Sequence, residues 1–218
     1  GRDHSYTRSY QMFGGEPLTD QTVDTQNRVV NPAGTLYITA NSSSGSSYYQ
    51  LESAGEPYAA VRQQVYAPTY SNMEFTDSTF TISTYNVESG EMLDTYTIYK
   101  GDTAAVSQVS LTADGDSLIA GRSGRIRLSL AAKDIMGNDT SLADASIAYR
   151  SEPAGMLSIS SNGTVTLGDP PETDTQVRVW AEATGEGYAV SSNQVTVNIL
   201  TGSIVSEVKA AFDDMEEC

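Results

Sequence analysis

The chain has 218 residues and carries 28 Asp and Glu against 12 Lys and Arg, a formal charge of −16. That charge excludes nucleic-acid phosphates and anionic lipid as simple electrostatic partners. The length sets one or two domains, no apolar run approaches the ~20 residues of a membrane span, and the one Cys, Cys218, excludes an intrachain disulfide.

In chain order, residues 1–10 read Gly-Arg-Asp-His-Ser-Tyr-Thr-Arg-Ser-Tyr, and 11–33 have no clear period and carry Gly14-Gly15, Pro17 and Asn31-Pro32, which reads as loop. A strand is expected over Gly34–Thr39. It is followed by a flexible polar loop, Asn41–Ser47, and an aromatic pair, Tyr48-Tyr49. Pro57 before Tyr58–Arg62 predicts one short helix, because Pro suits a first helical turn. Residues 69–99 predict a three-strand meander: Thr69–Phe75, a strand in which Phe80, Ile82 and Thr84 alternate with Thr81, Ser83 and Tyr85, and Met92–Tyr99.

A boundary falls near Lys100-Gly101-Asp102. Beyond it, strand-like runs recur at Val106–Leu111, Arg125–Ala132, Ser146–Arg150, Gly163–Leu167, Gln176–Ala183 and Asn193–Ile199, separated by Gly, Asn and Pro turns. Short strands at that spacing predict a sandwich. Residues 203–217 change character: Ile204, Val208 and Phe212 share one helical face and an acidic cluster follows, so 201–218 is expected to be a helical or linker tail.

Two stretches carry resemblances. The opening Gly1–Tyr10 resembles the last metal-binding motif of calcineurin-like metallophosphoesterases, in particular the purple acid phosphatases, where Gly-His-x-His is followed by an aromatic residue and an Arg. Segments similar to that family then follow in its order: Gly34–Thr39, Asn41–Ser47, Tyr48-Tyr49, Ala60–Gln64, Pro68–Ser71 and Leu93–Lys100. The resemblance implies that residues 1–100 are the carboxy-terminal part of a catalytic domain. It further implies a parent enzyme that hydrolyses phosphomonoesters at a dinuclear centre of iron with zinc, manganese or iron. His4 occupies the second ligand position, while Arg2 replaces the first, and a guanidinium has no lone pair to give a metal. With His4 the single His, the chain alone is expected to be inactive, with no catalytic and no cofactor-binding residue of its own. In the second half, Leu157–Leu167 resembles the Asn-Gly-x-Val hairpin of bacterial Ig-like repeats, which implies a spacer or adhesive module over residues 102–200.

Each conspicuous residue also has a plain reading. Asp3 is expected to be a loop carboxylate, and Arg8 a solvated or stacked side chain. The Ser run lacks the strand, Lys and helix of a phosphate loop, and the chain has no Gly-x-Ser-x-Gly elbow for Ser/His/Asp hydrolysis. Trp180 is expected to pack rather than bind, and Tyr48-Tyr49 either stack on sugars or fill a sheet face.

The expected fold is therefore all-β: a meander or partial sheet ending a metallophosphoesterase domain, then an Ig-like β-sandwich. Gly1 in place of an initiator Met is read as a piece of a longer, secreted or cell-surface bacterial protein. Its expected partners are an upstream catalytic part of the same polypeptide and cell-wall or glycan components. Residues 1–33 are expected to be mobile for want of packing partners. The competing function is a cell-surface adhesion or carbohydrate-binding module with no enzymatic role.

Overall fold

The computed structural model describes residues 4–45, 47–52 and 54–202. Arg2, Asp3, Cys218 and the helix expected over 203–217 lie outside the described residues. The chain is all-β and divides into two compact units, Gly1–Thr103 and Ala104–Cys218.

The first unit contains β1 (Tyr6–Phe13), β2 (Glu16–Leu18), β3 (Val29–Val30), β4 (Thr35–Thr39), β5 (Ala59–Gln63), β6 (Thr69–Phe75), β7 (Thr79–Asn86) and β8 (Met92–Tyr99). The last three form the expected meander, and β3 adds to β8 in parallel, Val29 beside Ile98. A second sheet is built on β1, which pairs with β4 along its length, with β5 through Tyr6–Ser9 and with β2 through Gln11–Phe13. The two sheets meet through side chains of β1 and β8: Tyr6 and Arg8 both bond Asp94, and Arg8 lies 4.4 Å over the Tyr96 ring.

Three expectations fail in this unit. Tyr58 is a turn residue and Ala59–Gln63 form β5 rather than a helix, because the backbone of Tyr6–Ser9 offers them an antiparallel ladder. A five-residue helix would satisfy few of its own hydrogen bonds. Residues 11–33 are not all loop, since β1 runs to Phe13 and β2 and β3 follow. Nor does the opening segment lack partners: Tyr6 and Gln11 are each 2% exposed within the sheet. The Ser loop is held as well, with Asn41 Nδ2 donating to the Ala67 carbonyl and Thr69 N to that of Ser42.

The second unit contains β9 (Val106–Ala113), β10 (Ser117–Ile119), β11 (Ile126–Asp134), β12 (Asp139–Thr140), β13 (Ser146–Glu152), β14 (Leu157–Ile159), β15 (Thr164–Leu167), β16 (Thr175–Gly185), β17 (Tyr188–Ser191) and β18 (Val195–Leu200). They make two sheets, β10-β18-β16-β13 with β17 beside β16, and β12-β11-β15-β14 with β9 beside β11. Along β16, Val177, Val179, Ala181 and Ala183 are fully buried, whereas Arg178 and Glu182 face outward and pair with Glu152 and Arg150 on β13. The apolar face packs on Leu111, Ile126, Leu128 and Val165 of the other sheet. This is the aligned-sandwich arrangement of an Ig-like domain. Asn193 joins the two sheets, its amide donating to the Leu111 carbonyl at 3.0 Å and its oxygen accepting from Leu111 N at 2.8 Å. Trp180 sits on the outer face of β16, half-buried beside Arg150 rather than in the core.

Candidate functional site

The outward face of the β1 sheet carries the site. Ser5, Thr7 and Ser9 take the face opposite Tyr6 and Arg8, Ser5 and Ser9 buried beneath the clefts and Thr7 half-buried, and an irregularity in the β1–β4 ladder between Arg8 and Gln11 then brings Met12 to the same face. Two clefts open over this floor and share Tyr58 as a wall.

The larger, about 730 Å³, is bounded by Phe13, Tyr37 and Tyr58 over Ser9 and Met12. Its rim is the two-residue β1–β2 turn, Gly14-Gly15, with φ of 60° and 89°. Both central residues of a type I′ turn need that left-handed backbone, so glycines stand there. Gly34, at φ +80°, completes the rim, and a Cβ there would lie 2.3 Å from the Met12 carbonyl oxygen. Ser9 ties the floor together, its Oγ accepting from Tyr37 N at 3.0 Å and donating to the Tyr10 carbonyl. Phe13 is 64% exposed and Tyr37 61%.

The smaller cleft, about 480 Å³, has Ser5 and Thr7 as floor and Tyr49, Tyr58, Glu52, Glu56 and Arg62 as walls. Arg62 Nη1 donates to the Glu52 and Ala54 carbonyls at 3.3 Å each, holding that segment. Tyr49 is 57% exposed and Tyr58 is exposed as well. Both volumes lie in the range of small-molecule sites, and exposed rings above hydroxyls and backbone edges suit a ligand with alternating apolar and polar faces.

Beneath the floor lies a buried polar knot. Arg8 Nε and Nη2 donate to Asp94 at 2.6 and 3.2 Å, and Tyr6 OH donates to the same carboxylate at 2.7 Å. Burial, and then the bond to Asp94, push the Tyr6 phenol up to about 12. Arg8 is thus stacked, as one of its plain readings had it, and also ion-paired, so its guanidinium is committed inside the unit.

His4 stands just ahead of β1 at φ 51°. Its Nδ1 donates to the Ser47 carbonyl, its ring lies 5.5 Å from that of Tyr49, and Gln64 Nε2 bonds the carbonyls of both His4 and Tyr49. Held in this way, the imidazole is a single candidate metal donor. A dinuclear centre needs several such donors, and among the described residues no three His, Cys, Asp or Glu side chains gather. The described residues therefore do not by themselves fit that group.

Of the aromatics singled out from sequence, Tyr49 lines a cleft, while Tyr48 is half-buried with its ring edge-on to Tyr66. Trp180 takes no part. Phe13, Tyr37 and Tyr58 went unrecognised, since they come from three separate segments and only strand pairing gathers them.

No protein-family model matches the chain. No curated protein matches it. Among solved structures it is similar to the D00–D0 domains of intimin (18% identity, TM-score 0.31, covering 75% of this chain and 89% of that one). It is also similar to murine CEACAM1b (14%, 0.27, 90% and 86%) and to two ectodomain repeats of human protocadherin-24 (12%, 0.30, 65% and 86%). Values this low leave function to be argued from the chain's own residues.

Proposed function

We propose that the chain is an extracellular, cell-surface module whose first unit binds a saccharide and whose Ig-like second unit is a spacer or adhesive element. The observation that carries this reading is the set of four exposed rings, Phe13, Tyr37, Tyr58 and Tyr49, lining two adjacent clefts whose other walls carry the polar side chains Thr7, Thr35, Gln50, Glu52 and Glu56. A pyranose presents an apolar C–H face to a ring and equatorial hydroxyls to polar edges, so both kinds of surface must lie together. A screen of the whole chain against immobilised glycans tests it. Binding that is lost in Tyr37→Ala/Tyr58→Ala supports the reading, and no binding to any glycan overturns it.

A second reading is favoured by His4. A non-glycine residue held at positive φ, with its ring bonded to a carbonyl, is the kind of strained position found at functional sites. On that reading the first unit is the carboxy-terminal portion of a bacterial metal-dependent phosphoesterase, and the missing ligands come from an upstream part. Aryl phosphate hydrolysis with iron, zinc or manganese checks it. The whole chain alone should show no turnover above the metal blank, and the chain joined to its upstream sequence should show turnover that His4→Ala removes. Failure of the joined protein to hydrolyse the ester would remove this reading.

A further inference from the structure

The smaller cleft differs from the larger in charge, and the difference selects among saccharides. Glu52 and Glu56 are both exposed on its wall, and among the described residues neither enters an ion pair. The one cation in the cleft, Arg62, is turned toward the Glu52 and Ala54 carbonyls instead of either carboxylate. Tyr49 and Tyr58 stand in the same cleft, so a cation entering it finds two carboxylates and two aromatic rings against the single guanidinium of Arg62, a lining that is acidic on balance. An ammonium gains from both, through charge attraction and through the ring quadrupole. The larger cleft, joined to it at Tyr58, has no charged side chain on its lining and suits an uncharged ring. Around both, 28 acidic residues against 12 basic ones make a field that repels uronic acids and other anionic polymers.

We infer that the site takes an amine-bearing saccharide, such as a de-N-acetylated hexosamine polymer, with an ammonium at Glu52 and Glu56 and a neighbouring ring on Tyr37 and Phe13. This rests on the saccharide-binding reading above. In the larger cleft the sugar ring is recognised without any charged group, by its fit to Phe13, Tyr37 and Tyr58. In the smaller one the amine is read by the carboxylates, and acetylation would remove the charge they read.

The test titrates the whole chain at pH 6, where the amine is protonated, with tetramers of glucosamine, N-acetylglucosamine and galacturonic acid, followed by tyrosine fluorescence. Glucosamine tetramer should bind about fivefold or more tighter than the acetylated one at low salt, as two partly exposed charge contacts allow. The margin should shrink in ~0.5 M salt, where screening acts over a few ångströms. Glu52→Gln/Glu56→Gln should abolish the preference, bringing the two tetramers to equal affinity. Equal affinity for the first two, or tightest binding of galacturonate, overturns the amine assignment while leaving saccharide binding in place. Binding of none of the three overturns the amine assignment, and absence of every glycan in the wider screen removes the saccharide reading with it.

Discussion

Tyr6, Arg8 and Asp94 set the stability of the first unit. The Arg8 and Asp94 side chains are 11% and 10% exposed, so each charge depends on the other for solvation. Removing one partner strands the other, at a cost of about 3 kcal/mol or more. Asp94→Ala should therefore lower the unfolding free energy of the first unit by that amount in a denaturant titration. Asp94→Asn, which keeps an acceptor for Tyr6, should cost less. The phenol adds a pH signature. Its folded value of about 12 lies above the ordinary value near 10, so its contribution is whole below pH 10 and is lost as pH climbs through 12. Unfolding monitored from pH 9 to 12 should show the first unit weakening across that window, and Tyr6→Phe should flatten the slope. An unchanged slope in Tyr6→Phe would assign the alkaline loss to other groups.

At the scale of elements, the floor of the site depends on how closely β1 and β4 approach. Gly34 lets the chain enter β4 at φ +80° with its Cα against the Met12 carbonyl, and no side chain fits that gap. Gly34→Ala should displace the start of β4, cost roughly 2 kcal/mol and reduce saccharide affinity together with stability. A variant of unchanged melting temperature would show that the approach is not needed. The strands themselves were largely legible. Phe80, Ile82 and Thr84 on β7 and Val177, Val179 and Ala181 on β16 alternate because one face of each is buried, and that is what period-2 patterning reports. β5 was misread because Pro57 and the run Ala-Ala-Val-Arg-Gln suit a helix locally, whereas its ladder partner, Tyr6–Ser9, lies some fifty residues earlier in sequence. The two-residue β3 and β12 are too short to carry a period at all. The site was less legible than the fold. Tyr49 announced itself as part of a pair, but Phe13 at a hairpin turn, Tyr37 mid-strand and Tyr58 ahead of β5 carry no common spacing.

For the whole molecule, the boundary read at Lys100–Asp102 from composition and the two units Gly1–Thr103 and Ala104–Cys218 lead to one proposal: each unit folds by itself. The second has its own core, from Leu111 on β9 to Ile199 on β18, built of residues of that unit. Residues 104–202 expressed alone should unfold in one cooperative transition in urea, and a non-cooperative one would contradict the division. On the proposed saccharide-binding reading, the ligand belongs to the first unit, where the rings lie. The decisive measurement is a titration of the strongest-binding glycan into the whole chain and into Tyr58→Ala, because Tyr58 walls both clefts. Saturable one-to-one binding that weakens at least tenfold in Tyr58→Ala, with unfolding unchanged, is the result expected. Undiminished binding in that variant would place the ligand elsewhere and contradict the assignment of the site.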